Sequence, residues 1–491
     1  MKTTTGKVSA AVHRRSGRVK AIVAAAGALF CTLGAGAGAP PAHAPDALLQ
    51  PPEREALRFG EAIAACGDIV IVGSPVDGDL GAQGGAAHVI RIGAVSPSAG
   101  GDARDFAHLA RLRSGSTGDH FGCAVALSRE AAVPTIAVGA DRAWIRAGFE
   151  GAVFVFEGLE SSGPSARLAA PFPQAGAEFG CCIAIDRTAR YIAVGARRED
   201  VGGVSDAGSV HLFTSSALPS GGGGIATSVP GRWHCVQTLV AQRPAQSQWF
   251  GSAIALGEDW LAVGAPGASA DGFAGAGCVQ LYRRNDRGSF DHARTLASPT
   301  AAPHAWFGSS LAIEGATLVV GEPRAAHEGV RCGAAWIYEL ADEGAPPRRL
   351  LPSAHAHPSL AGLGFGMSVA LDARFVVVGA PGIDESTQGE ECGGGFVFAR
   401  GDPGSAPDLA LRSTLPTPML LCGSSAAVAR IRYGETGPEL RVALLGHLFV
   451  EEESIAPSPG VALYALTPRA GPPLAKQDAP RTTSPACASS P

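Results

Sequence analysis

The feature that most constrains this chain is a two-part signature that returns about every 60 residues. Phe250-Gly251 opens the clearest copy, FGSAIALGEDWLAVGAPG over residues 250–267. An alternating apolar segment leads to a turn at Gly257-Glu258-Asp259, and a second apolar run climbs into Gly264-Ala265-Pro266. The same arrangement starts at Phe59, Phe307 and Phe365, and in looser form at Phe121 and Phe179. In four of these six copies the two signature glycines stand 13 residues apart, and successive phenylalanines are separated by 62, 58, 71, 57 and 58 positions. A seventh, decayed copy has Cys422-Gly423 in place of Phe-Gly and Leu445-Gly446-His447 in place of Gly-Ala-Pro. Its segment 459–464 still matches the third segment of the other units. A period of this length marks a chain built from one small unit that cannot bury its own apolar faces and stacks on its neighbours.

Each unit reads as four strands, which in the Phe250 copy fall at 252–256, 260–264, 278–282 and about 293–297. The first alternates. The second is almost continuously apolar (LAVGA, LVVG, VVVGA, IVIVG) and must be covered on both faces. The third carries aromatic residues such as Phe154, Trp336 and Phe396, and the turns between strands bear Gly, Asp and Glu. Small antiparallel sheets covered on both sides and repeated at this period stack radially as a β-propeller. The expected fold is therefore all-β, a seven-bladed β-propeller of four-stranded antiparallel blades with a degenerate last blade. Ala47-Leu48-Leu49-Gln50 matches the fourth strand of other units, such as Thr238-Leu239-Val240-Ala241. It is expected to complete blade seven from the N-terminal side and close the ring. The signature Phe should bury its ring between blades, contributing roughly 1.5–3 kcal/mol each, while its Gly allows close backbone approach.

Phe-Gly followed by Gly-Ala-Pro in this repeated form resembles the FG-GAP repeat, the unit of the integrin alpha-subunit propeller and of many secreted bacterial proteins. The short 13-residue spacing looks like the bacterial subtype. The resemblance implies a binding propeller and covers residues 46 to about 467. Integrin-type repeats often hold calcium in an Asp-rich turn between strands one and two. Here those turns are Gly257-Glu258-Asp259, Glu314-Gly315 and Asp372-Ala373-Arg374, too poor in oxygen donors for an ion that takes six to eight. No calcium, other metal or cofactor is therefore expected. Asp77 and Asp79, and Asp384, Glu385, Glu390 and Glu391, read as solvated loop carboxylates.

Residues 1–44 read as an export signal: six basic residues without an acid, an apolar Ala-rich run over 21–33, and a small-x-small site at Ala42-His43-Ala44. Residues 45–467 form the propeller, and 468–491 form a Pro/Ser/Thr-rich tail with too little apolar content for a core. Of the 39 basic residues, 33 remain after residue 44 against 44 acids, a formal net charge of −11. A basic stripe for nucleic acid is absent, and no membrane span is expected once the signal is removed. The product is expected to be exported (periplasmic, cell-surface or extracellular) and monomeric.

No His-Glu-x-x-His, Gly-x-Ser-x-Gly, phosphate loop or dinucleotide fingerprint occurs, so no catalytic residue is assigned. His355-Ala356-His357 and Arg400-Gly401-Asp402 read as ordinary loop sequence. Among the ten cysteines beyond the signal, Cys123, Cys181 and Cys182 fall on first strands as small buried residues. Cys332 and Cys392 hold equivalent positions in consecutive units. The function read from this pattern is a non-enzymatic scaffold for a protein or glycan ligand. The alternative is an enzyme with a scattered site at the channel mouth, which a cluster of His, Asp or Glu there would favour. The candidate partner-binding residues are Trp249 and Trp306, each immediately before Phe-Gly, where other units have Arg58, His120, Glu178 and Gly364.

Overall fold

The computed structural model describes residues 42–43, 47–49, 56–77, 84–93, 106–128, 133–146, 148–215, 233–352, 362, 364–382, 393–400, 409–412, 420–432, 439–449 and 461–466. They form seven antiparallel blades. Blade one consists of Ala62–Cys66, Ile69–Ser74, Ala86–Ile92 and Phe106–Leu112, from the inside outward. Blade two follows with Phe121–Ser128, Thr135–Ala140, Ala152–Glu157 and Ala166–Leu168, and blade three with Phe179–Ile185, Tyr191–Ala196, Ser209–Thr214 and His234–Val240. Blade four is Ala253–Leu256, Trp260–Ala265, Cys278–Arg284 and Phe290–Ala297, its outer strand starting earlier than the sequence pattern suggested. Blade five is Ser310–Glu314, Thr317–Glu322, Ala334–Glu339 and Arg348–Leu350. Blade six has Val369–Leu371, Phe375–Ala380, Gly394–Ala399 and Leu409–Arg412. Blade seven has the longer Leu420–Arg432 and Glu439–Phe449, followed by Val461–Leu466.

The fourth strand of blade seven is Ala47–Leu49, antiparallel to Val461–Leu466 in the register Ala47↔Leu463, Leu48↔Ala462 and Leu49↔Val461. The ring therefore closes by pairing its two ends. A further pair, Ala42–His43, lies parallel to Leu409–Arg412 and gives blade six a fifth strand. Those two residues precede the expected cleavage point, so processing after Ala44 would leave blade six with four strands like the others. Among the described residues no helix is long and apolar enough to cross a membrane.

First strands neighbour first strands around the ring, and Leu420–Arg432 meets Ala62–Cys66 to complete it. The core is split into seven layers, one between each pair of blades. Second strands are buried along nearly their whole length because a blade covers each of their faces. Phe59, Phe121, Phe179, Phe250, Phe307 and Phe365 each fill one layer and are buried. Among the described residues the layer between blades six and seven holds no signature phenylalanine, and the sequence has Cys422 at that position of the repeat.

The two signature glycines meet across each blade boundary. A Cβ on Gly73 would lie 2.0 Å from the Gly122 carbonyl oxygen, and one on Gly264 would lie 2.0 Å from that of Gly308. The contact recurs at every boundary, including Gly446 against Gly60 where the ring closes. At that separation no side chain fits. The decayed seventh unit has lost its Phe and Pro but keeps both glycines, since either substitution would push two backbones apart.

Candidate site at the channel rim

Three side-chain positions per blade gather where the innermost strand begins. One is the lead residue before Phe-Gly. The second follows Phe-Gly. The third directly follows the second strand, where Gly-Ala-Pro has its proline. The lead carbonyl accepts a hydrogen bond from the N–H of the residue after Phe-Gly, as in Cys123 to His120 (3.3 Å), Cys181 to Glu178 (3.1 Å) and Ser309 to Trp306 (3.2 Å). This turn forms a bulge, visible as a register shift between the first two strands of blades two and three. It forces the lead residue into the left-handed region: Arg58, His120, Glu178, Trp249 and Trp306 have φ between 55° and 61°. Glycine adopts that conformation freely and does so at Gly364 (φ 62°), whereas a side chain there costs about 1–2 kcal/mol. Five of the six lead residues keep a side chain there despite that cost.

Blades one to three carry ionisable groups at the rim. Arg58 donates to Glu61 at 3.0 Å. His120 Nδ1 and Asp141 Oδ1 share a hydrogen bond of 2.7 Å, and Arg197 Nε donates to Glu178 Oε2 at 2.6 Å. Arg198 bridges Glu178 and Asp206. These groups sense one another across blades. Burial raises Glu61 above the usual carboxylate range, against the charges of Arg58 and His120. Burial, reinforced by Asp141, pushes the Cys123 thiol well up, and burial takes Cys181 up to about 12 despite Arg197. The three cysteines expected in the core are half-buried, with Cys123 and Cys182 packed against the interblade layers. The structure thus brings together Glu61, His120, Cys123, Asp141, Glu178 and Arg197, none of which the sequence pattern assigned to a site. The signal was available: they sit at constant offsets from Phe-Gly and at the Gly-Ala-Pro end, where Asp141 and Arg197 replace proline.

Blades five and six carry a different surface. The half-buried indole of Trp306 lies under the Arg324 guanidinium, 3.4 Å from carbon to ring centroid. Trp306 also walls a cavity of about 350 Å³ with Pro323, Arg324, Arg331, Met367 and Pro381. Arg331 comes from a short hairpin of Ala326–His327 with Val330–Arg331, and Met367, 41% exposed, follows Phe-Gly in blade six. Trp249 holds the same lead position in blade four and is half-buried.

Two acids of the turns between strands one and two are already engaged. Asp372 Oδ1 accepts from the backbone N–H groups of Arg374 and Phe375, both at 2.8 Å, and Oδ2 pairs with Arg441. Asp186 closes its own turn by accepting from the Tyr191 N–H and the Thr188 hydroxyl. Arg400 of the Arg-Gly-Asp tripeptide reaches Thr317 of blade five. Gly401, Asp402, His355, His357, Asp79, Cys392 and the acids at 384–391 lie outside the described residues.

A family model for the FG-GAP repeat matches residues 164–213, 233–282 and 292–338. The chain carries FG-GAP repeats. Each match begins on or within two residues before the outer strand of one blade and ends on the third strand of the next. The sequence unit is thus one strand out of phase with the blade, so an N-terminal strand is left over to complete the last blade. An FG-GAP propeller of this kind is in general a binding scaffold. No curated protein matches the chain.

Proposed function

We propose that this FG-GAP propeller is an exported, monomeric binding protein that takes a protein or glycan ligand on the rim face, anchored by Trp306. The observation that carries this reading is an indole held in a strained backbone conformation at the wall of a cavity, where glycine would suffice for the fold. Tryptophan is enriched among the residues that anchor protein interfaces. Arg324 and Arg331 beside apolar Met367 and Pro381 suit a group with an apolar face and a negative charge. Export is supported by the basic and apolar composition of residues 1–44. The test is a glycan, peptide and surface-protein screen with wild type, W306A and W249A. Loss of binding in W306A at unchanged melting temperature supports the reading. Intact binding with lowered stability makes the ring a packing element. A second reading, an enzyme at the channel mouth, draws on the Glu61, His120 and Asp141 cluster. A hydrolase substrate panel with D141N as the inactive control tests it.

A further inference from the structure

We propose that the rim of blade two is a transition-metal site for a divalent zinc-class ion, ligated by His120, Cys123 and Asp141. One ligand atom from each residue lies within 4.8 Å of the other two. Tetrahedral zinc, with bonds of about 2.0–2.3 Å, sets its donors roughly 3.3–3.8 Å apart, so small side-chain rotations close the set. His120 and Cys123 flank the rigid Phe121-Gly122 bulge, and Asp141 directly follows the adjoining second strand. The backbone therefore presents all three donors in advance. His120 is also incompletely satisfied: Nδ1 is bonded to Asp141, while Nε2 is buried without a hydrogen-bond partner. A buried, unpartnered nitrogen on a ligand-type ring calls for an explanation, and a bound metal ion supplies one.

The chemistry selects the metal class. Thiolate, imidazole and carboxylate together suit zinc and its neighbours, whereas calcium and magnesium ask for oxygen throughout. Bound thiolate and carboxylate cancel the two positive charges of the ion, so the site needs no further counter-charge. Two nearby guanidinium groups are engaged with carboxylates: Arg58 with Glu61, and Arg197 with Glu178. Three protein ligands leave a fourth position for water or a ligand group, and Glu61 of blade one faces the set.

The repeat itself does not ask for these residues. At the three equivalent positions blade four has Trp249, Ser252 and Pro266, and blade five has Trp306, Ser309 and Pro323. Both fold around the same bulge. Blade three, with Glu178, Cys181 and Arg197, fills the third position with a cation and cannot serve.

Cobalt(II) titration of the purified, reduced, chelator-treated protein tests the proposal. The expected result is one equivalent bound, with a thiolate-to-cobalt charge-transfer absorption and tetrahedral d–d bands, and displacement of cobalt by zinc but not by calcium. C123S should lose the charge-transfer band. H120A and D141N should weaken binding by more than the roughly 10–100-fold seen when only an outer partner of a metal ligand is removed. C181S should bind as wild type. The wild-type spectrum alone reports thiolate ligation, so the proposal stays testable if a variant fails to fold. Absence of stoichiometric uptake by folded wild type overturns it, as does a band that survives C123S or vanishes in C181S. Rapid alkylation of Cys123 without cobalt uptake overturns it in favour of a reactive thiol.

Discussion

Leu49→Ala probes how the ring is closed. Leu49 is fully buried in the layer between blades seven and one, together with Phe59, Val70, Leu444, Val461 and Leu463. Its strand is held by only three register pairs. Truncating a buried leucine costs about 2–5 kcal/mol, set by how far the site collapses. For a propeller of about 420 residues, unfolding entropy near 2.1 cal/mol/K per residue gives ~0.9 kcal/mol/K, so that cost lowers the melting temperature by about 2–6 °C. Deleting 46–50 removes the three pairs as well and should exceed the point variant. Calorimetry on both, with Val236→Ala as control, makes the measurement. Val236 is 42% exposed on the outer strand of blade three, and its truncation should stay within about 0.5 kcal/mol. If Leu49→Ala melts with wild type, or no lower than Val236→Ala, the closure by Ala47–Leu49 is refuted.

Gly446→Ala should destabilise strongly, because its Cβ would sit 2.0 Å from the Gly60 carbonyl oxygen, whereas Gly163→Ala meets nothing within 4 Å and should be neutral; a pair of equal melting curves contradicts the interblade contact. Replacing chelator by micromolar calcium should leave the melting temperature unchanged, since the first turns are poor in acids and Asp372 is already bonded to backbone and Arg441; a rise of several degrees would reveal a site. His211 gives a pH signature. Burial alone would lower its pKa, but the neighbouring Cys235 and the Glu199 carboxylate, 2.8 Å from Nε2, raise it to about 9 from 6.5. The charged ring then contributes stability that is complete below about pH 6.5 and lost as pH rises through 9. His211→Gln should flatten stability between those values, and an unchanged slope refutes the assignment.

The fold was legible because its determinants are periodic. The phenylalanines and both glycines recur at nearly fixed spacing, since every blade boundary imposes the same contact, and second strands read as continuous apolar runs because both faces are covered. Closure by Ala47–Leu49 was legible from its likeness to Thr238-Leu239-Val240-Ala241. Boundaries were less so. The outer strand of blade four begins at Phe290 rather than near 293, since outer strands are half-exposed and carry a weaker apolar pattern. The polar rim was not legible as a motif. His120, Cys123 and Asp141 are 21 residues apart end to end, and only the bulge and the first-to-second strand pairing bring them together.

That separation follows from how the repeat divides its positions. The interblade contact takes the phenylalanine, both glycines and the second-strand residues, leaving three rim positions per blade that packing does not dictate. Two are fixed relative to Phe-Gly, while the third shifts with the length of the first turn: Trp249 and Pro266 are 17 apart, Glu178 and Arg197 are 19, and His120 and Asp141 are 21. A search for contiguous motifs reads these as unrelated residues. Aligned on the two glycines, they become triplets, and the triplets differ around the ring. Blades one to three offer Glu61, His120, Cys123, Asp141 and Glu178, whereas blades four to six offer Trp249, Trp306, Met367 and prolines. The propeller thus carries an ionic arc and an apolar arc on one rim, both on a backbone that neither set of side chains is needed to hold. Chemistry in such a chain is therefore to be sought in what the rim triplets do not share, because what they share belongs to the fold.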